Sequence, residues 1–175
     1  MIELFIMVIA KKIIKFLDKS GAKYEIINHR TVFTAFDKSR TLKEKANIVG
    51  KTLVLKINPK EMVIALIPGD KNLDKAKIKK IINLQRKKEA KKIVKKIEFA
   101  SERLMKNRLK GMKMGAVAPF GSLFKISTFV NKSLLNKKKI ILNSGRLDLS
   151  IMIKGSDFEK IVRDLIKGSF VKSKK

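Results

Sequence analysis

The sequence predicts an α+β protein in a single domain, because helical and strand-like segments are mixed along the chain and the strands come in hairpin-like pairs. The chain has 175 residues, of which 45% are hydrophobic, so it can bury one compact core. The sequence contains no internal repeat. We therefore predict one domain over residues 1–175.

Several helices are predicted from hydrophobic spacing and from capping residues. A first helix is predicted to end near Ser20-Gly21, and its apolar residues at helical spacing are Ile6, Ile9, Ile13, Phe16 and Leu17. Thr41-Leu42-Lys43-Glu44 is a capping box that predicts a short helix through about residue 48. A short helix starts at residues 101–106, before Gly111. Ser156-Asp157-Phe158-Glu159 is a second capping box and opens a final helix that Gly168 closes.

A Lys-rich tract from Leu73 to about Ile97 is also predicted to be helical. Its middle, residues 85–92, carries almost no apolar face. This pattern indicates either a solvated extension of the helix or a break between two helices.

The strands are predicted from β-branched residues and from the turns between them. Residues 24–28 form a first strand, and residues 49–57 and 61–67 form a hairpin around Asn58-Pro59-Lys60. Later strands are predicted over residues 123–130, 139–143 and 147–153, the last two joined by the turn Ser144-Gly145-Arg146.

The strongest global signal is charge: 43 Lys and Arg against 15 Asp and Glu give a net charge of +28. Such a chain is expected to bind a polyanion, and nucleic acid is the first candidate. Nearly all of this charge is lysine, which a genome-wide compositional bias would also produce. Aromatic residues make up 6% of the chain, which argues against a platform for stacked single-stranded bases.

The chain has no cysteine and a single histidine, His29. It therefore has neither a disulfide framework nor a thiolate nucleophile, and we predict no metal site and no cofactor. The lack of cysteine predicts a reducing, cytoplasmic location. The apolar N-terminal residues resemble neither a signal peptide nor a membrane span, so no membrane contact is predicted.

The segment from Gly111 to Gly121 holds three of the nine glycines and one of the three prolines. Glycine lets a backbone turn tightly and approach a ligand closely, so this loop could present bare N–H groups. Ordinary turns at the two ends of a strand would give the same composition.

A series of short motifs, in a fixed order along the chain, resembles the pattern of a known protein family. The motifs are Phe16-Leu17 before Gly21 and Tyr24, His29, Lys51-Thr52-Leu53, Leu66-Ile67-Pro68-Gly69-Asp70 with Leu73-Asp74, Phe99-Ala100-Ser101-Glu102, Gly115-x-x-x-Pro119-Phe120-Gly121, Asn143-Ser144-Gly145, Ser150-Ile151 and Asp157. From about residue 13 to 162 the chain resembles the YbaK/EbsC family. These are freestanding aminoacyl-tRNA deacylases related to the editing domain of bacterial prolyl-tRNA synthetases.

The resemblance implies a fold, an activity and a set of site residues. The fold would be a mixed, mostly antiparallel sheet, curved toward a partly open barrel and surrounded by helices. The activity would be hydrolysis of a mischarged aminoacyl-tRNA in trans, with Ala- or Cys-tRNA(Pro) as the first guess and prolyl-tRNA synthetase as a possible partner. The residues implied to be catalytic are Lys51, Gly115, Ala116, Val117, Ala118 and Pro119. Those implied to bind substrate are His29, Thr52, Phe120, Gly121, Asn143, Ser144 and Gly145.

In this family, the glycine loop would hold the aminoacyl ester through backbone groups, and Lys51 would lie beside the terminal adenosine and its phosphate. The ester is already activated, so a positioned water and N–H donors to the oxyanion can suffice without a side-chain nucleophile. One such donor is worth about 3 kcal/mol. A ribose hydroxyl of the substrate could help to activate the water.

The chain departs from the family pattern in three respects, one of which is that its apolar N-terminal residues have no counterpart in the family. The alanine-editing branch has Asn after its strand-opening Lys and His near the late strands, where this chain has Thr52 and Asn143. Amino-acid specificity therefore does not transfer. The helical tract over residues 85–97 is longer than the family norm and is interpreted as a Lys-rich insertion that contacts the tRNA body.

Other interpretations remain open from the residues alone. The protein could be a tRNA- or RNA-binding module of the same fold without catalysis, or a structural protein whose lysines reflect compositional bias. His29 could cap or pack a strand end rather than act as a base. Met112 and Met114 could line an adaptable pocket or belong to the core.

Overall fold

The computed structural model describes residues 2–173, and the side chains from residue 8 onward. In chain order the helices are α1 (Ile2–Ser20), α2 (Ala35–Thr41), α3 (Lys75–Lys88), α4 (Glu102–Arg108), α5 (Lys132–Leu135) and α6 (Gly155–Ile161). The strands are β1 (Tyr24–Asn28), β2 (Gly50–Lys56), β3 (Met62–Pro68), β4 (Glu98–Phe99), β5 (Thr128–Asn131), β6 (Ile140–Asn143), β7 (Leu149–Ile153) and β8 (Ile166–Gly168). Short 3-10 turns occupy Ala46–Ile48 and Gly121–Phe124.

The strands form two sheets. One has the order β1-β7-β6 and is antiparallel throughout. The other has the order β4-β2-β3-β5-β8, with β2 antiparallel to both its neighbours and β5 parallel to both of its own. An isolated bridge between Val49 and Ile141 links them. The prediction of an α+β fold with a mixed, mostly antiparallel sheet is confirmed, and the described strands do not close into a barrel.

Strand β3 divides the core into two clusters, because it is buried on both faces. Its residues Met62, Ile64 and Leu66 pack in a cluster with α1, α6 and the glycine loop. The alternate residues Val63, Ala65 and Ile67 pack in a second cluster with α3. A continuous apolar strand is typical of a sheet covered on both sides.

The N-terminal helix, β1, the β2–β3 hairpin, the helix after Ser101 and the pairing of β6 with β7 agree with the sequence predictions. The predicted helix over residues 41–48 is wrong. Thr34 rather than Thr41 caps α2, by accepting a hydrogen bond from the N–H of Asp37 at 3.0 Å. Thr41 is the last residue of that helix, and Lys43 has a φ of 53°. Thr34-x-x-Asp37 is a second possible capping pair, and it lies directly at the start of the helix.

Three other segments differ from their predictions. Helix α3 ends at Lys88, and residues 91–97 form an irregular segment that buries Val94 and Ile97 instead of a second helix. The strand predicted over 123–130 is confined to Thr128–Asn131, because the 3-10 turn and left-handed Lys125 (φ 56°) precede it.

The final helix begins at Gly155 with Lys154 at the N-cap position, so Ser156 is not its cap. It ends at Ile161, and Gly168 lies instead in β8. The chain becomes extended there because residues 166–168 pair with β5. Within the described residues, none of the helices is both long and apolar enough to cross a membrane.

Candidate functional site

A cavity of about 320 Å³ lies between the start of α2, one edge of β2 and the glycine loop. Five of the residues proposed from sequence line it together, namely Lys51, Thr52, Gly115, Val117 and Asn143. Its rim is apolar and exposed, because Phe33, Phe99 and Met114 are each more than half exposed. The fold therefore brings residues from five separate parts of the sequence to one cavity.

The glycine loop contains no strand, so its amides are not used in a β-ladder. The Ala116 N–H donates to the carbonyl of Lys113 at 3.0 Å, and the Ala116 carbonyl accepts from the Gly145 N–H at 2.9 Å. Within the described chain, the amides of Gly115 and Val117 have no hydrogen-bond partner. Both residues line the cavity, which leaves two donors available at its wall.

The backbone conformation at position 115 requires glycine. Its φ is +82°, which side chains rarely adopt, and a Cβ there would lie 2.7 Å from the carbonyl oxygen of Phe33. The loop thus passes directly beneath the segment that leads into α2.

The side-chain amide of Asn143 holds the loop from the other side. Its Nδ2 donates to the carbonyls of Gly115 at 3.2 Å and Val117 at 3.3 Å. Its Oδ1 accepts from the ammonium of Lys38 at 2.5 Å. The Gly115 carbonyl shares its peptide plane with the N–H of Ala116, and the Val117 carbonyl shares its plane with the N–H of Ala118. These bonds therefore fix the two planes on either side of the one that carries the Val117 N–H.

Lys38 belongs to α2 and is only 4% exposed. Burial lowers the pKa of Lys38 to about 8 because the charged form loses its hydration. None of the described carboxylates forms an ion pair with it. The sequence analysis did not identify this residue, and one lysine among 43 basic residues carries no local signal that could.

Thr52 contributes a second unusual feature. Its Oγ1 is buried and has no hydrogen-bond partner among the described residues. Strand β4 pairs with β2 at Leu55 and Lys56. Among the described strands, none pairs with the same edge of β2 from Lys51 to Leu53, where it borders the cavity. A buried hydroxyl without a partner beside an open strand edge is suited to a polar ligand group.

Lys51 lines the cavity, but its ammonium is bound elsewhere. Its partner across the hairpin is Ile67, which belongs to the α3 cluster, whereas Thr52 pairs with Leu66 of the other cluster. The Lys51 ammonium donates to the carbonyl of Lys71. Burial lowers the pKa of Lys51, and nearby Asp70 partly offsets this effect.

The remaining proposed residues support the site or lie outside the cavity. Ala116, Ala118, Pro119, Phe120 and Gly121 are buried, and Phe120 packs edge to face on Phe16 and Phe158. Gly145 donates to the loop, and the Ser144 hydroxyl donates to the carbonyl of Leu149 within the β6–β7 turn.

His29 does not line the cavity. Its Nδ1 contacts the Arg30 carbonyl and its Nε2 contacts the hydroxyl of Ser150, each at 2.8 Å. Ser150 is fully buried and lies opposite Asn143 in the β6–β7 register. His29 therefore anchors the end of β1 to the strand beside the site.

Residues 29–161 match the family model of the aminoacyl-tRNA editing domain. The cavity, the glycine loop and most of both sheets fall within this range, and the chain belongs to the aminoacyl-tRNA editing domain family. No curated protein matches the chain.

Solved structures share the fold. One, described as hypothetical protein APE2540, has 17% identity and a TM-score of 0.75, with 92% of this chain and 99% of that chain covered. Another, described as "a putative trans-editing enzyme for prolyl tRNA synthetase", has 14% identity and a TM-score of 0.76, with 94% and 98% covered. At these identities the likeness concerns the fold.

Proposed function

We propose that this protein hydrolyses the ester bond of a mischarged aminoacyl-tRNA in trans, releasing the amino acid. The observation that carries the proposal is the pair of unpartnered amides at Gly115 and Val117, held at the wall of a cavity in an editing-domain fold. The cavity volume of about 320 Å³ suits a small aminoacyl group. Alanine or cysteine on tRNA(Pro) is accordingly the first substrate to test.

In the proposed reaction, a water attacks the ester carbonyl, and the bond from that carbon to the ribose oxygen breaks. The loop amides donate to the carbonyl oxygen as it becomes negative. The proton lost by the water ends on the ribose hydroxyl, and the neighbouring ribose hydroxyl of the substrate assists. No side-chain nucleophile is needed in this scheme, which accords with a chain that has no cysteine.

A second cavity of about 860 Å³ adjoins the first and shares Phe33, Met105 and Met114 with it. Three lysines line it as well, Lys106, Lys110 and Lys113. We propose that the single-stranded 3′ end of the tRNA lies here. Exposed Phe33 would stack on a base, and the lysines would contact phosphates.

The experiment is a deacylation assay of purified protein against a panel of mischarged and correctly charged tRNAs. We expect release of amino acid from one of the mischarged tRNAs and a fall of at least about 100-fold in Gly115→Ala, because the loop must move. Gly21→Ala is a matched control, since Gly21 also has a positive φ, +68°, but has no atom within 4 Å of an added Cβ.

Two outcomes would contradict the proposal. Wild-type protein that binds tRNA in a salt-sensitive manner but releases no amino acid from any member of the panel would instead be a binding module. Equal deacylation by wild type and Gly115→Ala would remove the loop from the mechanism.

A further inference from the structure

Lys38 is a buried cation that the proposed reaction does not use directly. It lies on α2 beneath the cavity, is 4% exposed, and none of the described carboxylates pairs with it. Removing a charge from water without a counter-charge is costly, so a neutral residue would be expected at such a position unless the charge has a use.

The hydrogen bonds around Lys38 connect it to the glycine loop in two steps. Its ammonium donates to Oδ1 of Asn143 at 2.5 Å, and Nδ2 of the same amide donates to the carbonyls of Gly115 and Val117. An ammonium has only donors, so it accepts only the oxygen end of the amide. The opposite rotamer would direct Nδ2 at the ammonium and Oδ1 at two carbonyls.

The loop carbonyls that Asn143 holds belong to the peptide units on either side of the one that carries the unpartnered N–H of Val117. The peptide unit between them is held by Gly145, whose N–H donates to the Ala116 carbonyl at 2.9 Å. Three successive peptide units are thereby held: Gly145 holds the middle one and Asn143 holds the two outer ones, the first of which is also held by the bond from the Ala116 N–H to the Lys113 carbonyl. The orientation of the Val117 N–H therefore depends directly on Gly145 and, through the units on both sides of it, on how firmly Asn143 is held.

We infer that Lys38 is a positioning residue for deacylation: its ammonium fixes the side-chain amide of Asn143, which holds the peptide units on both sides of the Val117 N–H and so aims that amide at the ester. This inference rests on the proposed function. Lys38 does not line the cavity and acts only through Asn143.

The test compares Lys38→Met with Lys38→Gln. The two side chains have similar length and no charge, but only glutamine keeps an N–H donor for Asn143. We expect kcat to fall about 10- to 100-fold in Lys38→Met with KM for the charged tRNA nearly unchanged. Lys38→Gln should recover much of this loss. Arg40→Met removes a charge from the exposed face of the same helix and should leave kcat unaltered.

Amide hydrogen exchange gives a readout that does not need activity. The bonded amides of Ala116 and Gly145 should exchange about fivefold faster or more in Lys38→Met than in wild type, because the loop loses support. Unchanged exchange, or a wild-type kcat in Lys38→Met, would overturn the inference. If wild type releases no amino acid from the tRNA panel, the proposed function fails, and the exchange rates alone decide the role of Lys38.

Discussion

The buried ammonium of Lys38 has a consequence for stability as well as for the site. In the unfolded chain this lysine titrates near its ordinary value of 10.5, whereas burial lowers its pKa to about 8 in the fold. Between those two pH values the unfolded state binds more protons, so the free energy of unfolding rises with pH. The charge therefore destabilises the fold most below pH 8.

We predict that wild type gains stability relative to Lys38→Met as the pH rises from 7 to 10.5. The gain should approach about 3 kcal/mol, which is the free-energy equivalent of the pKa difference. Urea unfolding of both proteins at several pH values measures it, and Arg40→Met should follow the wild-type curve. Parallel curves for wild type and Lys38→Met would show that the buried group does not titrate as described.

At Thr52 we expect a single substitution to raise the stability of the fold and to weaken substrate binding. Its buried Oγ1 has no partner among the described residues, and valine has nearly the same shape without the hydroxyl. We expect Thr52→Val to stabilise the fold by about 1 kcal/mol, because an unsatisfied polar atom is removed. KM for the charged tRNA should rise if the hydroxyl contacts the substrate. A less stable Thr52→Val would mean that the hydroxyl already has a partner, such as an ordered water.

At the scale of single residues, the sequence identifies those that form the glycine loop but not those that support it. Gly115 and Asn143 follow from the resemblance, and the structure places both at one cavity. Lys38 and the rim residue Phe33 do not, because their importance depends on burial and contacts across the fold. The role of Lys51 also follows from the resemblance, but the direction of its ammonium depends on which face of the hairpin packs on α3.

At the scale of elements, α2 connects the cavity to the core. It carries the buried Lys38 and begins at Ala35, which lines the cavity together with Phe33. Thr34 caps it by accepting from the N–H of Asp37 and donating to the carboxylate of the same residue at 2.7 Å. A seven-residue helix is too short to be stable without its cap and its packing.

We predict that Thr34→Ala destabilises the protein by about 1 kcal/mol and lowers deacylation, because the first turn of α2 loses its cap. Thr41→Ala is the matched control. Thr41 ends the helix and only accepts from Arg30, so its loss should cost little. Chemical denaturation and the deacylation assay measure both effects. If Thr41→Ala lowered the free energy of unfolding more than Thr34→Ala does, the capping box predicted from sequence at Thr41 would be supported instead.

Elements with strong local patterns could be predicted from sequence, and those fixed by distant pairing could not. The β2–β3 hairpin has alternating residues in β2, a proline turn and a continuous apolar run in β3, and it matches its prediction. Strand β8 has three residues and exists because residues 166–168 pair with β5. The irregular segment after α3 is held by Asn83, whose side chain bonds both the N–H and the carbonyl of Val94.

For the whole molecule, the net charge of +28 predicts that substrate binding depends on salt. We expect KM for charged tRNA to rise steeply with salt while kcat changes little, because phosphate contacts affect binding rather than chemistry. Replacing Lys106, Lys110 and Lys113 with glutamine should reduce the slope of log affinity against log salt by about 2, at roughly 0.7 per contact.

The matched control replaces three exposed lysines of α1, Lys11, Lys15 and Lys19, which line neither cavity. Both triple variants lose the same charge, so a difference between their slopes reports location rather than net charge. Equal slopes would mean that the positive charge acts over the whole surface, as compositional bias would produce.

The pairing of β1 with β7 joins Tyr24 to Ile153 and Asn28 to Leu149, across most of the chain. During translation, β1 therefore emerges from the ribosome long before β7, its one neighbour among the described strands, has been synthesised. Nascent chains arrested before residue 149 should leave the first helix and β1 accessible to chaperones and proteases. Completion of β7 would then protect both in one late step.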